Sequence, residues 1–296
     1  MKKKLIVATR SGSLAIAQTQ IVVAAIQKLY PDLDIRVKKI ASQGDKDRRT
    51  TLWELKSTGF FTSLLEDALL AKDADIAVHS FKDLPTTIRE GLTIAAVLDR
   101  KFPEDCLVTA SPIKTIYELP NEALVGTSSL RRTVQLKRLR NDLQCVPIRG
   151  NVPTRLKKLE QGDFDAIVLA RAGLERLGLA DIISIIFDPT KFIPSPAQGA
   201  LAVEVRADDA ETKEIVSKLD DKDYRITTTA ERQVFSALGC GCHAPAGVFA
   251  QLSGDQITIS ACFSDPDGSN FREFSLSGPI ADSAKLAQSL ADKLKR

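Results

Sequence analysis

Short apolar runs of strand length alternate with helix-length amphipathic segments, and this alternation constrains the fold more than any other feature of the chain. Residues 5–9 read as a buried strand, and 13–30 as a helix stopped by Pro31. Residues 34–40 place Ile35 and Val37 between charged neighbours, the period-two signature of a strand. A helix at 60–71 and strands at 76–79 and 92–98 follow. Strand, helix, strand in this order requires crossover connections, hence parallel pairing in an α/β layer fold. A second α/β unit repeats the alternation, with strands at 124–126, 144–148 and 166–169 and helices at 130–140, 152–161 and 172–177. Pro194-Ser195-Pro196 interrupts it before a strand at 201–205. Beyond Tyr224 a helix at 226–238 precedes strands at 248–252, 257–263 and 272–276, with Asp265-Pro266-Asp267-Gly268 as a turn and a helix closing at 281–294. That tail reads as a small α+β domain.

Between the second strand and the second helix, residues 42–58 hold Asp45, Lys46, Asp47, Arg48, Arg49, Glu54, Lys56 and the single Trp, Trp53. A long polar segment inside a compact domain reads as a mobile lid, with a plain surface loop as the alternative. The whole chain has 41 Lys and Arg against 38 Asp and Glu, a net charge of +3, which argues against a generic polyanion binder. The balance is uneven, since residues 131–176 hold eleven basic and five acidic side chains. The longest apolar run, 21–26, is six residues, far below the roughly 20 of a membrane helix. Met1-Lys2-Lys3-Lys4 precedes only four apolar residues, too few for a secretory signal, so a cytoplasmic protein with five reduced cysteines is expected.

Four places could carry chemistry. Gly126-Thr127-Ser128-Ser129-Leu130-Arg131-Arg132 is a strand feeding a hydroxyl-rich helix start, followed at once by two guanidinium forks. Such a junction suits carboxylates or phosphates; the plain alternative is a Ser-capped helix with exposed arginines. Arg149-Gly150-Asn151 with Thr154-Arg155 repeats the arrangement, and both junctions fall at the carboxyl ends of strands, where α/β sheets bind ligands. In the first unit, the strand at 76–79 runs into Ser80-Phe81-Lys82-Asp83, while His79 reads equally as a satisfied strand-end histidine. Cys240-Gly241-Cys242-His243 lacks the second half of a zinc motif, and two His in all exclude a multi-histidine metal site, so no metal is expected. A glycine-flanked loop cysteine suits an exposed nucleophile better.

The chain resembles the porphobilinogen deaminase (hydroxymethylbilane synthase) family in ordered blocks that span nearly its whole length. These are Ala8-Thr9-Arg10 with Leu14-Ala15, 75–85 (DIAVHSFKDLP), 125–132 (VGTSSLRR), Arg149-Gly150-Asn151 with Thr154-Arg155-Leu156, 165–178 (DAIVLARAGLERLG), 196–200 (PAQGA), Thr229-Ala230-Glu231-Arg232 and Gly241-Cys242-His243-Ala244-Pro245. The resemblance implies two periplasmic-binding-protein-like α/β domains plus a small α+β C-terminal domain. Their implied bounds are 1–99 with 200–217, 100–199, and 218–296. It also implies a covalent dipyrromethane cofactor on a thioether to Cys242. The implied reaction joins four porphobilinogen molecules head to tail, with loss of ammonia each time, and releases hydroxymethylbilane.

Residue by residue, the resemblance makes Asp83 the catalytic aspartate on the pyrrole N–H groups, beside Lys82 and Arg10. Ser128, Ser129, Arg131 and Arg132 become cofactor ligands. Arg10, Arg149, Arg155 and Arg176 become substrate-carboxylate ligands, with Gln198 near the hinge between the first two domains. A monomer acting on small molecules is implied, with neither nucleic acid nor membrane as partner. Three positions depart from the family pattern: Thr58 stands where a lysine is common, Gly12 where a serine is common, and Cys240 where a glycine is common. The competing reading is a non-catalytic cytosolic anion-binding or sensor protein on the same two-lobed fold. A nucleic-acid binder is the third class, disfavoured by few aromatics and no recognised motif.

Overall fold

The computed structural model describes residues 2–40, 62–239 and 244–296. The expected lid at 42–58 and the Cys240–His243 segment lie outside the described residues. Strands of the first half are β1 (Lys4–Arg10), β2 (Asp34–Ile40), β3 (Ile76–Ser80), β4 (Leu92–Leu98), β5 (Asp105–Thr109) and β6 (Leu124–Gly126). Those of the second are β7 (Gln144–Val146), β8 (Ala166–Ala170), β9 (Ile185–Ile186), β10 (Leu201–Arg206), β11 (Ala246–Ser253), β12 (Gln256–Phe263) and β13 (Arg272–Pro279). The helices are α1 (Ser13–Leu29), α2 (Ser63–Leu70), α3 (Leu130–Leu139), α4 (Val152–Glu160), α5 (Arg171–Arg176), α6 (Ala210–Ser217), α7 (Lys222–Leu238) and α8 (Ser283–Lys295).

β1 shows why the first sheet is covered on both faces. Leu5 and Val7 are fully buried with Val22 and Ile26 of α1, while Ala8, on the opposite face, packs with Leu65 and Leu69 of α2. Side chains alternate across a strand, so a strand apolar at every position must be roofed twice. Each fully buried leucine contributes roughly 1.5–3 kcal/mol. The second sheet repeats this, with Leu107, Val125 and Val168 in one cluster and Cys106, Val108 and Ile167 in the other.

Both sheets follow one plan. The first has the order β2-β1-β3-β10-β4 and the second β7-β6-β8-β5-β9. In each, three strands run parallel and the fourth, β10 or β5, runs antiparallel to its neighbour β3 or β8. The strand–helix–strand series pairs in parallel as expected, and the antiparallel fourth strand adds to it. That strand reaches its sheet from outside the strand–helix–strand series, which no local pattern announces. β5, β9 and α6 have no counterpart in the sequence reading.

The chain divides into two compact units, Met1–Lys101 with Gly199–Ile226, and Phe102–Gln198 with Thr227–Arg296. The second unit holds both the second sheet and the antiparallel meander β11-β12-β13, which α8 covers through Ala287, Leu290, Ala291 and Leu294. The Asp265–Gly268 turn forms between β12 and β13 as expected, with Gly268 N–H donating to Asp265 O at 2.9 Å. The meander seats on the segment before β10. Val248 N–H donates to Pro194 O at 2.9 Å, and a Cβ at Gly247 would lie 2.5 Å from Ile193 O, so only glycine permits that approach.

Candidate functional site

In the first unit, parallel pairing carries the ends of β1 and β3 to one edge of the sheet. Arg10 closes β1 two residues after Ala8, and Ser80 closes β3 three after Ala77, Ala8 and Ala77 being register partners. β10 arrives antiparallel with Leu201 opposite Ser80, and Ala200 O accepts the N–H of Phe81 at 3.0 Å. This bond starts the single 3₁₀ turn Phe81–Asp83 just past the strand. Phe81 is buried, which turns its neighbours outward: Lys82 is half-buried and Asp83 exposed. Arg10 is half-buried. Behind the turn, Gln18 of α1 donates to Ser80 Oγ at 2.8 Å. His79 is a satisfied core histidine, its Nε2 3.1 Å from Glu204 Oε2 of β10, with both side chains buried.

In the second unit, the same device brings Asp105 to the carboxyl edge. It begins antiparallel β5 and pairs with Ala170, the last residue of β8. α3 starts at that edge after β6. Ser129 is its N-cap but makes no side-chain cap bond, so the Ser-capped alternative does not describe this helix start. Ser128 Oγ donates to Ile148 O at 2.7 Å and accepts from Ile148 N at 3.1 Å, committing its one O–H to the backbone. Arg131 and Arg132 are buried, not exposed, and both pair with Asp105. Gln198 is buried and donates through Nε2 to Pro103 O at 2.9 Å and Asp105 Oδ1 at 3.0 Å.

The second junction forms as the spacing suggests. Gly150 has φ +114°, and a Cβ there would come within 2.6 Å of Thr154 Cγ2. Asn151 caps α4 by accepting from Thr154 N at 3.0 Å. Arg155 donates Nε to Gly150 O at 2.8 Å, folding its half-buried head back toward the edge. Burial first, then the positive charges of Arg132 and Arg149, push its guanidinium down to about 10. No carboxylate pairs with Arg155 among the described residues. Arg149 is half-buried, as is Arg176 at the end of α5.

Asp105, which no motif singled out, is the residue on which Arg131, Arg132 and Gln198 converge. Its only signal in the sequence is an acidic residue opening an apolar run, a pattern too common to interpret. Of the described cysteines, Cys106 and Cys262 are buried, and burial pushes both thiols up to about 12. Burial raises Cys145 as well.

Two doubly covered α/β sheets, with basic side chains near the carboxyl ends of their strands, define a two-sheet α/β protein. The family model described as "Porphobilinogen deaminase, dipyromethane cofactor binding domain" matches residues 5–214, and "Porphobilinogen deaminase, C-terminal domain" matches 225–296. The curated porphobilinogen deaminase of Roseiflexus sp. (strain RS-1) is 44% identical, over 99% of this chain and 96% of its own length. That of Chromobacterium violaceum is 42% identical, over 98% and 94%. Among solved structures, the methionine-binding protein MetQ superposes with a TM-score of 0.47 at 13% identity, over 78% of this chain and 93% of that one. The chain belongs to the porphobilinogen deaminase family. Membership makes it an enzyme of tetrapyrrole synthesis with a dipyrromethane cofactor, and supports that reading over the non-catalytic anion-binding alternative.

Proposed function

We propose that the strand-end residues described above carry out the family's reaction, joining four porphobilinogen molecules head to tail on a dipyrromethane held by Cys242. The observation that carries this reading is Arg155, whose head folds back onto Gly150 O in the positive field of Arg132 and Arg149, with no carboxylate pairing it among the described residues. A half-buried guanidinium in a positive field is stabilised when an anion enters beside it. Every pyrrole of substrate and cofactor brings an acetate and a propionate. The donor set therefore fits dipyrromethane, with Ser129, Arg131 and Arg132 as its holding residues, Ser128 bracing the turn through Ile148, and Cys242 as its anchor. When bound, the group supplies the terminal pyrrole carbon that the first substrate unit joins.

The chain's own residues divide the remaining work. Asp83 is exposed past β3, where its carboxylate accepts pyrrole N–H groups of the substrate and stabilises the positive charge that develops as ammonia leaves. Lys82 and Arg10 share that edge and orient substrate carboxylates. Arg149, Arg155 and Arg176 neutralise the acetates and propionates of the growing chain. Gln198 supports Arg131 and Arg132 from behind through their shared partner Asp105. Thioether attachment needs a thiolate, and the buried thiols of Cys106 and Cys262, pushed up to about 12, are poor nucleophiles at neutral pH. A reducing compartment keeps Cys242 free of a disulfide with Cys240, which favours a cytoplasmic location. The two arginines at the start of α3 are buried on Asp105, which favours an enclosed small anion over nucleic acid. The family resemblance favours a monomer.

Intact mass tests the reading. The purified chain should exceed its sequence mass by one dipyrromethane, the adduct should map to Cys242, and Cys242→Ser should lack it. A chain that stays unmodified after incubation with porphobilinogen overturns the assignment.

A further inference from the structure

Two adjacent arginines cannot enter a protein interior without a counter-charge. Arg131 and Arg132 are both buried, and the side chain that admits them is Asp105, itself wholly buried. Its oxygens are divided between them. Oδ2 accepts from Arg131 Nη1 at 2.7 Å, while Oδ1 accepts from Arg132 Nε at 3.1 Å and Nη2 at 2.7 Å. Oδ1 also accepts from Gln198 Nε2 at 3.0 Å. One carboxylate thus joins three residues that lie in two separate sequence blocks.

Backbone oxygens complete the clamp. Arg131 Nη1 reaches Ile193 O at 2.8 Å, and Arg132 Nη1 reaches Val168 O at 2.9 Å. A guanidinium held at several points has one orientation, which fixes where its remaining donors aim. Two guanidiniums on one carboxylate leave a net positive charge where water has little access, and there the attraction for an incoming carboxylate is strong. The antiparallel run of β5 puts this acid at the edge where α3 begins, a position that the parallel strands alone would leave empty.

We propose that Asp105 is a positioning residue for the reaction: its carboxylate sets Arg131, Arg132 and Gln198 in the geometry that receives the carboxylates of primer and substrate. The inference rests on the ligand role given to the two arginines.

The test compares Asp105→Asn with Asp209→Asn in the full chain. Asp209 pairs with Lys2 at 3.2 Å and Arg206 at 2.6 Å in the first unit, so it reports the loss of an ion-paired carboxylate alone. The readouts are the urea midpoint, the fraction of chains carrying the dipyrromethane adduct by intact mass, and KM and kcat for porphobilinogen. Asp105→Asn should cut loading on the order of tenfold and raise KM by a similar factor in the loaded fraction, with kcat changed less. Asp209→Asn should load fully at its own lowered midpoint. Parental loading and KM in Asp105→Asn, or an equal loss of loading in Asp209→Asn at a similar midpoint, overturn the proposal. If Asp105→Asn does not fold, Asp105→Glu carries the test: the charge is kept but moved by a methylene, so the chain should fold with KM raised on the order of tenfold, and an unchanged KM overturns the proposal. Arg132→Leu separates the two levels. Parental loading there removes the arginine reading itself, whereas loss there with normal Asp105→Asn removes only the positioning role.

Discussion

The carboxylate of Glu231 accepts the backbone N–H of Ala197 at 2.7 Å, at a residue held in the left-handed region with φ +60°. The second oxygen accepts from Ala250 N at 2.7 Å, so one buried side chain ties α7, the turn before Gln198 and strand β11 together. Glu231→Gln removes the charge and turns one acceptor into a donor facing an N–H. We expect a loss of about 2–3 kcal/mol in urea unfolding, the scale of a charged hydrogen bond broken in the interior. A change below about 0.5 kcal/mol, the size of an ordinary surface substitution, would show that the tie is replaceable.

Asp83 should behave in the opposite way. It is exposed and makes no hydrogen bond or ion pair among the described residues, so Asp83→Asn should shift stability by no more than about 0.5 kcal/mol. Its turnover should nevertheless fall by on the order of a hundredfold or more, as when a preorganised electrostatic partner is lost. Product formation near the parental rate would remove Asp83 from the chemistry.

Arg155 offers a sharper separation of folding from function. Burial and the charges of Arg132 and Arg149 oppose its own charge, so Arg155→Leu should leave stability unchanged or slightly increased. Affinity for porphobilinogen should fall, with KM raised on the order of tenfold or more. A marked loss of stability would show that Arg155 is structural.

Acid sensitivity should trace in part to Asp209. Burial pushes its carboxyl upward, but the N–H and hydroxyl of Thr212 and the ammonium of Lys2 outweigh that and hold it well below the usual carboxylate range. The folded chain therefore binds fewer protons than the unfolded chain below about pH 4. Its contribution is complete above that pH and is lost as acid protonates the group. Asp209→Asn keeps the cap acceptor, costs about 1 kcal/mol at pH 7 and flattens the fall in stability below about pH 4. Urea midpoints measured between pH 7 and pH 2.5 check both statements.

Gly12 stands at the N-cap of α1 with φ −68° and ψ 146°, ordinary extended backbone, and a Cβ there meets nothing within 4 Å. Gly12→Ser should therefore stabilise the chain by about 0.5–1 kcal/mol, through a cap hydroxyl and a less flexible unfolded chain. Gly247→Ala should destabilise it, because its Cβ would meet Ile193 O at 2.5 Å. Thermal unfolding of the two variants should move in opposite directions.

Strands such as β3 and β8 were legible in the sequence because apolar side chains on both faces give an unbroken run that a helix of that length cannot use. The antiparallel strand β5 was not, since its position depends on a partner more than fifty residues away. The double arginine of α3 was readable as an anion fork, but its internal counter-charge was not, because burial of Arg131 and Arg132 is set by β5. Ser128 looked available from its place in a turn, yet it bridges to Ile148, the backbone of the next strand end. Cys242 and the 42–58 segment were read from pattern and resemblance, and both lie outside the described residues.

The fourth strand of the first sheet has a consequence for the order in which the protein can be built. β4 touches that sheet only through β10, and β10 is synthesised after every strand of the second sheet. The second sheet can close as soon as β9 is synthesised, whereas the first must hold β1, β2 and β3 without their antiparallel neighbour until residue 206 emerges. The part of the molecule translated first is thus completed second, and its exposed β3 edge is the surface that a nascent chain must protect in the interval.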